Sequence, residues 1–223
     1  MKELYIYHHL GLGDHIICNA IVRNYAKEND KIYLFVKPHN LSNVSFMYRD
    51  LKNIEYIVGD DAVAEKYISD NHITNLLKIG FDKLDPNIRF DRSFYICAGV
   101  EFEKRWTDFY VERDMEREKA LFNKLGLKEN EYLFTNDDHK RGHVIPKHKY
   151  RQDLPVITSE IDCPLFDLCY IIENAAEIHL MESSIKCLAE NLDLKTDKLF
   201  YHIFVRSYPP NIQLTPKREW TYL

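Results

Sequence analysis

The stretch His8-His9-Leu10-Gly11-Leu12-Gly13-Asp14-His15 gathers four titratable side chains around two closely spaced glycines. It follows a β-prone run and opens a helical pattern, so the backbone turns there from strand to helix. Such a turn presents free N–H groups and the positive end of a helix dipole, which together hold an anion. It is not a complete dinucleotide fingerprint. The third glycine position holds Ile16, and the second strand ends in Lys37 where an NAD ribose would want a carboxylate. No Walker sequence is present. Gly11 and Gly13 therefore keep two readings, a tight strand–helix turn or a turn that admits a ligand. Asp14 keeps two as well. A carboxylate is favoured at any helix start, yet this one stands beside His15 with His8 and His9 across the turn.

Two further stretches repeat the plan in the second half. Glu177-Ile178-His179-Leu180-Met181-Glu182-Ser183-Ser184 runs from a strand through a polar turn into a helix. Ser183 and Ser184 either cap that helix or, with its free N–H groups, bind a diphosphate. Thr135-Asn136-Asp137-Asp138-His139-Lys140-Arg141-Gly142-His143 is a polar cluster straight after a strand. Lys140 and Arg141 there either neutralise phosphate or belong to a solvated loop. His139, His143 and His148 match no helix pair and no zinc knuckle, so no metal site is expected. The chain holds no D-x-D triplet, the simplest metal handle for a sugar diphosphate.

The elements that must position these residues alternate between strand and helix. Strands are predicted at Glu3–Tyr7, Lys31–Val36 and Ile54–Val58, with weaker candidates at Ile73–Leu77 and Arg92–Ala98. Helices are predicted from about Asp14 to Glu28 and after Lys37-Pro38-His39. A charged helix over Glu112–Leu125 reads as solvated and marks a domain boundary. Beyond it come strands at Glu131–Thr135, Leu154–Thr158, Glu177–Met181 and Leu199–Val205, the last closing the sheet before a Pro-containing tail to Trp220. Helices over Leu165–Asn174 and Ser183–Leu192 lie between them. The alternation predicts an α/β protein with parallel sheets, in two Rossmann-like halves facing a cleft, 1–110 and 111–223.

Composition agrees with a soluble globular chain. Its 223 residues suit one large domain or two compact halves. Thirty Lys and Arg against 35 Asp and Glu give a net charge of −5, which argues against nucleic acid held by bulk charge. No apolar run is long enough for a transmembrane segment, and the first residues lack a signal-peptide core. Five cysteines, with no C-x-x-C, point to a reduced cytoplasmic protein, bacterial or in a host cell if viral.

Together the motifs resemble a GT-B-type glycosyltransferase related to the heptosyltransferase group. That group has a strand, G-x-G-D and a helix near the N-terminus, matched by Gly11-Leu12-Gly13-Asp14. It has a strand and an acidic-Ser/Thr helix start near the C-terminus, matched by Glu182-Ser183-Ser184. Phe102-Glu103-Lys104-Arg105-Trp106 also resembles small glycosyltransferases of viral and bacterial surface-glycan clusters. Two departures stand out. The chain is much shorter than usual for this fold, and Ile185 replaces the glycine expected after the serines.

The resemblance implies a metal-independent glycosyltransferase with no cofactor, using a nucleotide-sugar donor and a glycan or other hydroxyl acceptor. A homodimer is compatible with it. Asp14 would be the general base and His15 would orient it or the acceptor. Gly11, Gly13, Lys140, Arg141, Glu182, Ser183 and Ser184 would bind the donor, and Arg105 and Trp106 would line the cleft. The rivals are a non-catalytic nucleotide-sugar or glycan-binding module and a nucleotide-dependent oxidoreductase, the latter weakened by Ile16 and Lys37.

Overall fold

The computed structural model describes residues 1–81, 85, 87–205 and 213–223. The chain divides into two compact units. The first is Met1–Glu112 with Pro210–Thr215, and the second is Arg113–Pro209 with Pro216–Leu223.

In the first unit, β1 (Glu3–His8) leads through α1 (Leu12–Ile17) and α2 (Asn19–Ala26) to β2 (Lys31–Val36). A 3-10 turn at Pro38–Asn40 and α3 (Leu41–Met47) connect to β3 (Ile54–Val58). Then follow α4 (Asp61–Asp70), β4 (Leu76–Ile79), α5 (Phe90–Cys97) and α6 (Lys104–Thr107). The strands are parallel in the order β3-β2-β1-β4. Strand alternation sends Tyr5 and Tyr7 to one face, where Tyr7 packs with Leu10, Phe35 and Ala64. The chain leaves β1 toward β2 and β3, then returns to β4 on the other side. The C-terminal end of β1 is thus a topological switch point, the place where open α/β sheets take ligands.

The second unit has the same logic. α7 (Met115–Lys124) precedes β5 (Leu133–Thr135), then 3-10 turns at His139–Arg141 and Lys147–Lys149, and β6 (Val156–Thr158). A 3-10 turn at Leu165–Leu168 runs into α8 (Cys169–Glu173), followed by β7 (Glu177–Leu180) and α9 (Ser184–Ala189). β8 (Leu199–Tyr201) and β9 (Thr221–Tyr222) complete a parallel sheet of order β6-β5-β7-β8-β9. Here the switch point falls between the C-terminal ends of β5 and β7.

Several expectations need correction. Arg92–Ala98 is not a strand but the greater part of α5 with its C-cap, Ala98. Asp91, Phe94, Tyr95 and Ala98 are its buried positions, the 3.6-residue spacing of a helix face. The fourth strand is Leu76–Ile79 instead of Ile73–Leu77. The long helix expected from Asp14 is two helices that break at Cys18. α4 and α6 were not anticipated; Asp60 caps the former by accepting from Val63 N at 3.0 Å. β8 ends at Tyr201, and the tail itself supplies the edge strand β9 that closes the sheet. Of that tail, residues 206–212 lie outside the described residues. α7 is less solvated than its charge suggests, because Glu118 is buried between Arg113 and the backbone N–H of Tyr170.

Candidate functional site

A cavity of about 530 Å³ in the second unit opens at its switch point. Three loops line it: Asn136–Asp138 with Lys140 and Arg141 after β5, Ser159–Asp162 after β6, and Met181 with Ser183–Ile185 after β7. The structure therefore brings together Lys140, Arg141, Ser183 and Ser184, four residues that lie more than 40 positions apart in two groups along the chain. The loop Ser159–Asp162 had no local motif to betray it. Its signal was positional, since it follows a strand that pairs beside β5.

The serines differ in what they already do. Ser183 caps α9, accepting from Lys186 N at 3.2 Å, and donates to Asn136 Oδ1 at 2.5 Å. Asn136 Nδ2 in turn donates to Ser159 Oγ at 3.0 Å, tying all three loops together. Ser183 is thereby committed to the wall. Ser184, at the first helical position, is half-buried, lines the cavity and makes no hydrogen bond through its hydroxyl among the described residues.

Charge in the cavity is mixed. Arg141 Nε lies 2.7 Å from Asp138 Oδ2, and Asp138 also caps the 3-10 turn. Asp137 Oδ1 accepts from Ile145 N at 2.8 Å, and Glu160 accepts from His139 through both ring and backbone. Lys140 is exposed and forms no ion pair among the described residues. The cavity lining thus includes an available ammonium and an available hydroxyl. The carboxylates of Glu160 and Asp162 come from the loop after β6, with Glu160 bonded to His139 beside Lys140. Glu182 is not part of the lining; its Oε2 accepts from Tyr201 Oη at 2.5 Å, and burial pushes that phenol up.

The G-x-G-D turn lies at the switch point of the first unit. Gly11 is the N-cap of α1 with an ordinary φ of −72°, so left-handed geometry is not why glycine stands there. A Cβ on Gly11 would lie 2.6 Å from Asp14 Oδ2. The carboxylate folds back over Gly11, and the missing side chain makes its room. Asp14 is half-buried and occupies the first turn, where the helix dipole favours its charge. Gly13 is inside α1.

The neighbours of Asp14 are not where the sequence suggested. His15 is fully buried behind the turn, its ring edge-on to that of His8 at 4.4 Å between centroids. Neither ring nitrogen of His15 has a hydrogen-bond partner among the described residues, so it does not orient Asp14. Burial holds its pKa well below the usual range, and pushes that of His8 down to about 4. His9 stacks against Phe81 and bonds Gly80 O through Nε2 at 2.7 Å. Arg105, expected to line a cleft, is instead an interior residue 1% exposed, ion-paired with the fully buried Asp91. Trp106 packs beside it, with the guanidinium 4.2 Å from its ring centroid. A buried arginine needs its carboxylate, and that requirement outweighs any surface role. Among the described residues, no group of three or more His, Cys, Asp or Glu is placed to hold a metal ion. No helix among them is long and apolar enough to cross a membrane.

Two parallel sheets, each with a ligand-type turn at its switch point, define an α/β protein of the GT-B type. The solved structures it is similar to are glycosyltransferases. The glycosyl transferase family 9 protein from Veillonella parvula DSM 2008 gives a TM-score of 0.61 at 8% identity, over all of this chain and 85% of that one. ADP-heptose LPS heptosyltransferase II of E. coli gives 0.58 at 8% identity, over all of this chain and 90% of its own. The iron-containing dodecameric glycosyltransferase TibC, from enterotoxigenic E. coli H10407, gives 0.56 at 11% identity. That match covers 99% of this chain and 62% of TibC. No family model and no curated protein matches the chain by sequence. At these identities the likeness lies in the fold.

Proposed function

We propose that this protein is a glycosyltransferase that moves a sugar from a nucleotide-sugar donor to a hydroxyl acceptor without a metal ion. The observation that carries the reading is the cavity between β5 and β7. Its lining combines the ammonium of Lys140 and the hydroxyl of Ser184 with the carboxylates of Glu160 and Asp162. A nucleoside diphosphate matches both kinds of group. Its phosphates take charge-assisted hydrogen bonds from Lys140, Ser184 and the first N–H groups of α9. Its ribose hydroxyls donate to the carboxylates. The leaving diphosphate is then stabilised by groups already in position. Asp14 serves as the base that takes the proton from the acceptor hydroxyl as it attacks the anomeric carbon. Gly11 provides the space for that carboxylate. The solved complex of TibC holds ADP-D-beta-D-heptose, which makes an adenosine diphosphate sugar the first donor to test.

Calorimetric titration of the chain with ADP, UDP and GDP tests the donor half of the reading. At least one should bind, and its affinity should drop in Lys140→Gln. Release of the nucleoside diphosphate from a sugar donor in the presence of acceptor tests turnover and separates an enzyme from a binding module. Activity is expected to survive EDTA. Loss on chelation, with recovery on adding magnesium or manganese, would overturn the metal-independent mechanism.

A further inference from the structure

Between His139 and Arg151 the sequence places five Lys and Arg and three His with no Asp or Glu, in a chain whose net charge is −5. Two of those cations are neutralised, Arg141 by Asp138 and Arg151 by Asp153. Lys140 belongs to the cavity. Lys147 and Lys149 remain, exposed and without an ion pair among the described residues. Pro146 starts the 3-10 turn that carries them, closed by Lys149 N donating to Pro146 O at 2.9 Å. The same surface exposes apolar side chains: Phe204 is 46%, Ile203 38% and Val144 37% exposed. The two sets are neighbours. Lys149 Nζ lies 5.4 Å from the Phe204 ring centroid, and His143 Nδ1 donates to Val205 O at 3.1 Å.

We propose that Lys147 and Lys149, with Phe204, Ile203 and Val144, form a docking surface for a bilayer rich in anionic lipid. A soluble anion accounts for the lysines but gives Phe204 and Ile203 no reason to face water. An anionic interface rewards both, drawing lysines to its negative potential and apolar tips among its headgroups. The contact is peripheral and independent of the nucleotide cavity, whose lining includes none of these five residues.

Co-sedimentation of the full chain with vesicles of phosphatidylglycerol and phosphatidylcholine in equal parts tests it against vesicles of phosphatidylcholine alone. Binding is expected to the first and not the second, and to weaken in 1 M salt, where the screening length is about 3 Å. Each lysine should be worth about fivefold, so Lys147→Gln with Lys149→Gln should weaken vesicle binding about 30-fold. Phe204→Ser, which leaves the charge unchanged, should weaken it further. The unfolding midpoint and nucleoside diphosphate binding should not move in either variant. Equal sedimentation with both vesicles would overturn the proposal. So would polyphosphate binding through the same lysines with no effect of Phe204→Ser, which would make the surface an anion site.

Discussion

The carboxylate of Asp14 and the missing side chain of Gly11 are one feature, because each explains the geometry of the other. Replacing Asp14 with Asn preserves size and removes the base, so turnover should fall by roughly two to four orders of magnitude with donor affinity nearly unchanged. Gly11→Ala is the subtler test. Its φ is ordinary, so the fold should tolerate alanine, but the new Cβ must push the carboxylate aside. A displacement of about 1 Å costs on the order of 10²-fold in rate. Steady-state kinetics beside thermal melts should therefore show lost turnover at nearly constant stability. A variant that melts early but turns over normally would reduce Asp14 to a structural role. The two serines separate in the opposite sense. Ser183→Ala removes a cap and should cost about 0.5–2 kcal/mol of stability. Ser184→Ala should leave stability alone and weaken nucleoside diphosphate binding by about 1.5–3 kcal/mol, roughly 10- to 150-fold. Free nucleoside should bind both variants as it binds the wild type.

Among the elements, α9 is held from behind by the C-terminal segment. Glu190 Oε1 accepts from Lys186 Nζ at 2.8 Å and Trp220 Nε1 at 2.9 Å, and its Oε2 accepts from Lys217 N at 3.0 Å. Lys186 also lies over the rings of Tyr201 and Trp220. Lys186 and Glu190 are both almost wholly buried. Glu190→Ala strands the lysine charge and should cost about 3–5 kcal/mol in urea unfolding. Trp220→Phe keeps an aromatic ring but loses one bond to a charged group, about 1.5–3 kcal/mol, with a further cost for the smaller side chain. A smaller loss from Glu190→Ala than from Trp220→Phe would show that Lys186 finds water or another partner. Lys186 and Glu190 stand at i,i+4 spacing within a predicted helix, so that pair was open to a sequence reading, whereas the bonds from Lys217 and Trp220 depend on the return of the tail. The strand–turn–helix junctions were legible. Glycines and serines impose local geometry there, and the apolar runs of β1, β2 and β3 set their own bounds. α5 was not, since Phe94, Tyr95 and Ile96 are β-prone while the helical spacing of its buried positions emerges only on packing. The site splits along the same line. Ser184 and Lys140 stand on local signals, whereas Ser159–Asp162 and the Arg105–Asp91 pair depend on partners distant in sequence.

Across the whole molecule, both units bury neutral histidines. His8 and His15 lie under the first turn, and His179 and His202 lie in the second sheet. In that sheet His179 Nε2 is 2.7 Å from Glu177 Oε1, and its Nδ1 is 2.9 Å from His202 Nε2. With both rings neutral, His179 donates to the carboxylate and accepts from His202. Burial lowers the pKa of all four, those of His8 and His202 to about 4. The unfolded chain, with histidines near 6.5, therefore binds more protons than the folded one as the medium becomes acid. Stability is complete above about pH 6.5 and is lost as the pH falls toward 4. For His8 alone the loss approaches about 3 kcal/mol. Urea unfolding at pH 7 and pH 4.5 measures it. His15→Leu sharpens the test, because its ring nitrogens have no partner to lose and an apolar side chain cannot charge. Its stability at pH 7 should match or exceed that of the wild type, and its acid loss should be smaller. A cost above about 1.5 kcal/mol at pH 7, more than a tolerated apolar swap incurs, would mean that the ring makes a contact beyond this packing. A stable His15→Leu protein with turnover abolished would return His15 to the catalytic group. Retained turnover would leave His15 as a buried support, one of four histidines whose burial neutral makes the fold acid-sensitive.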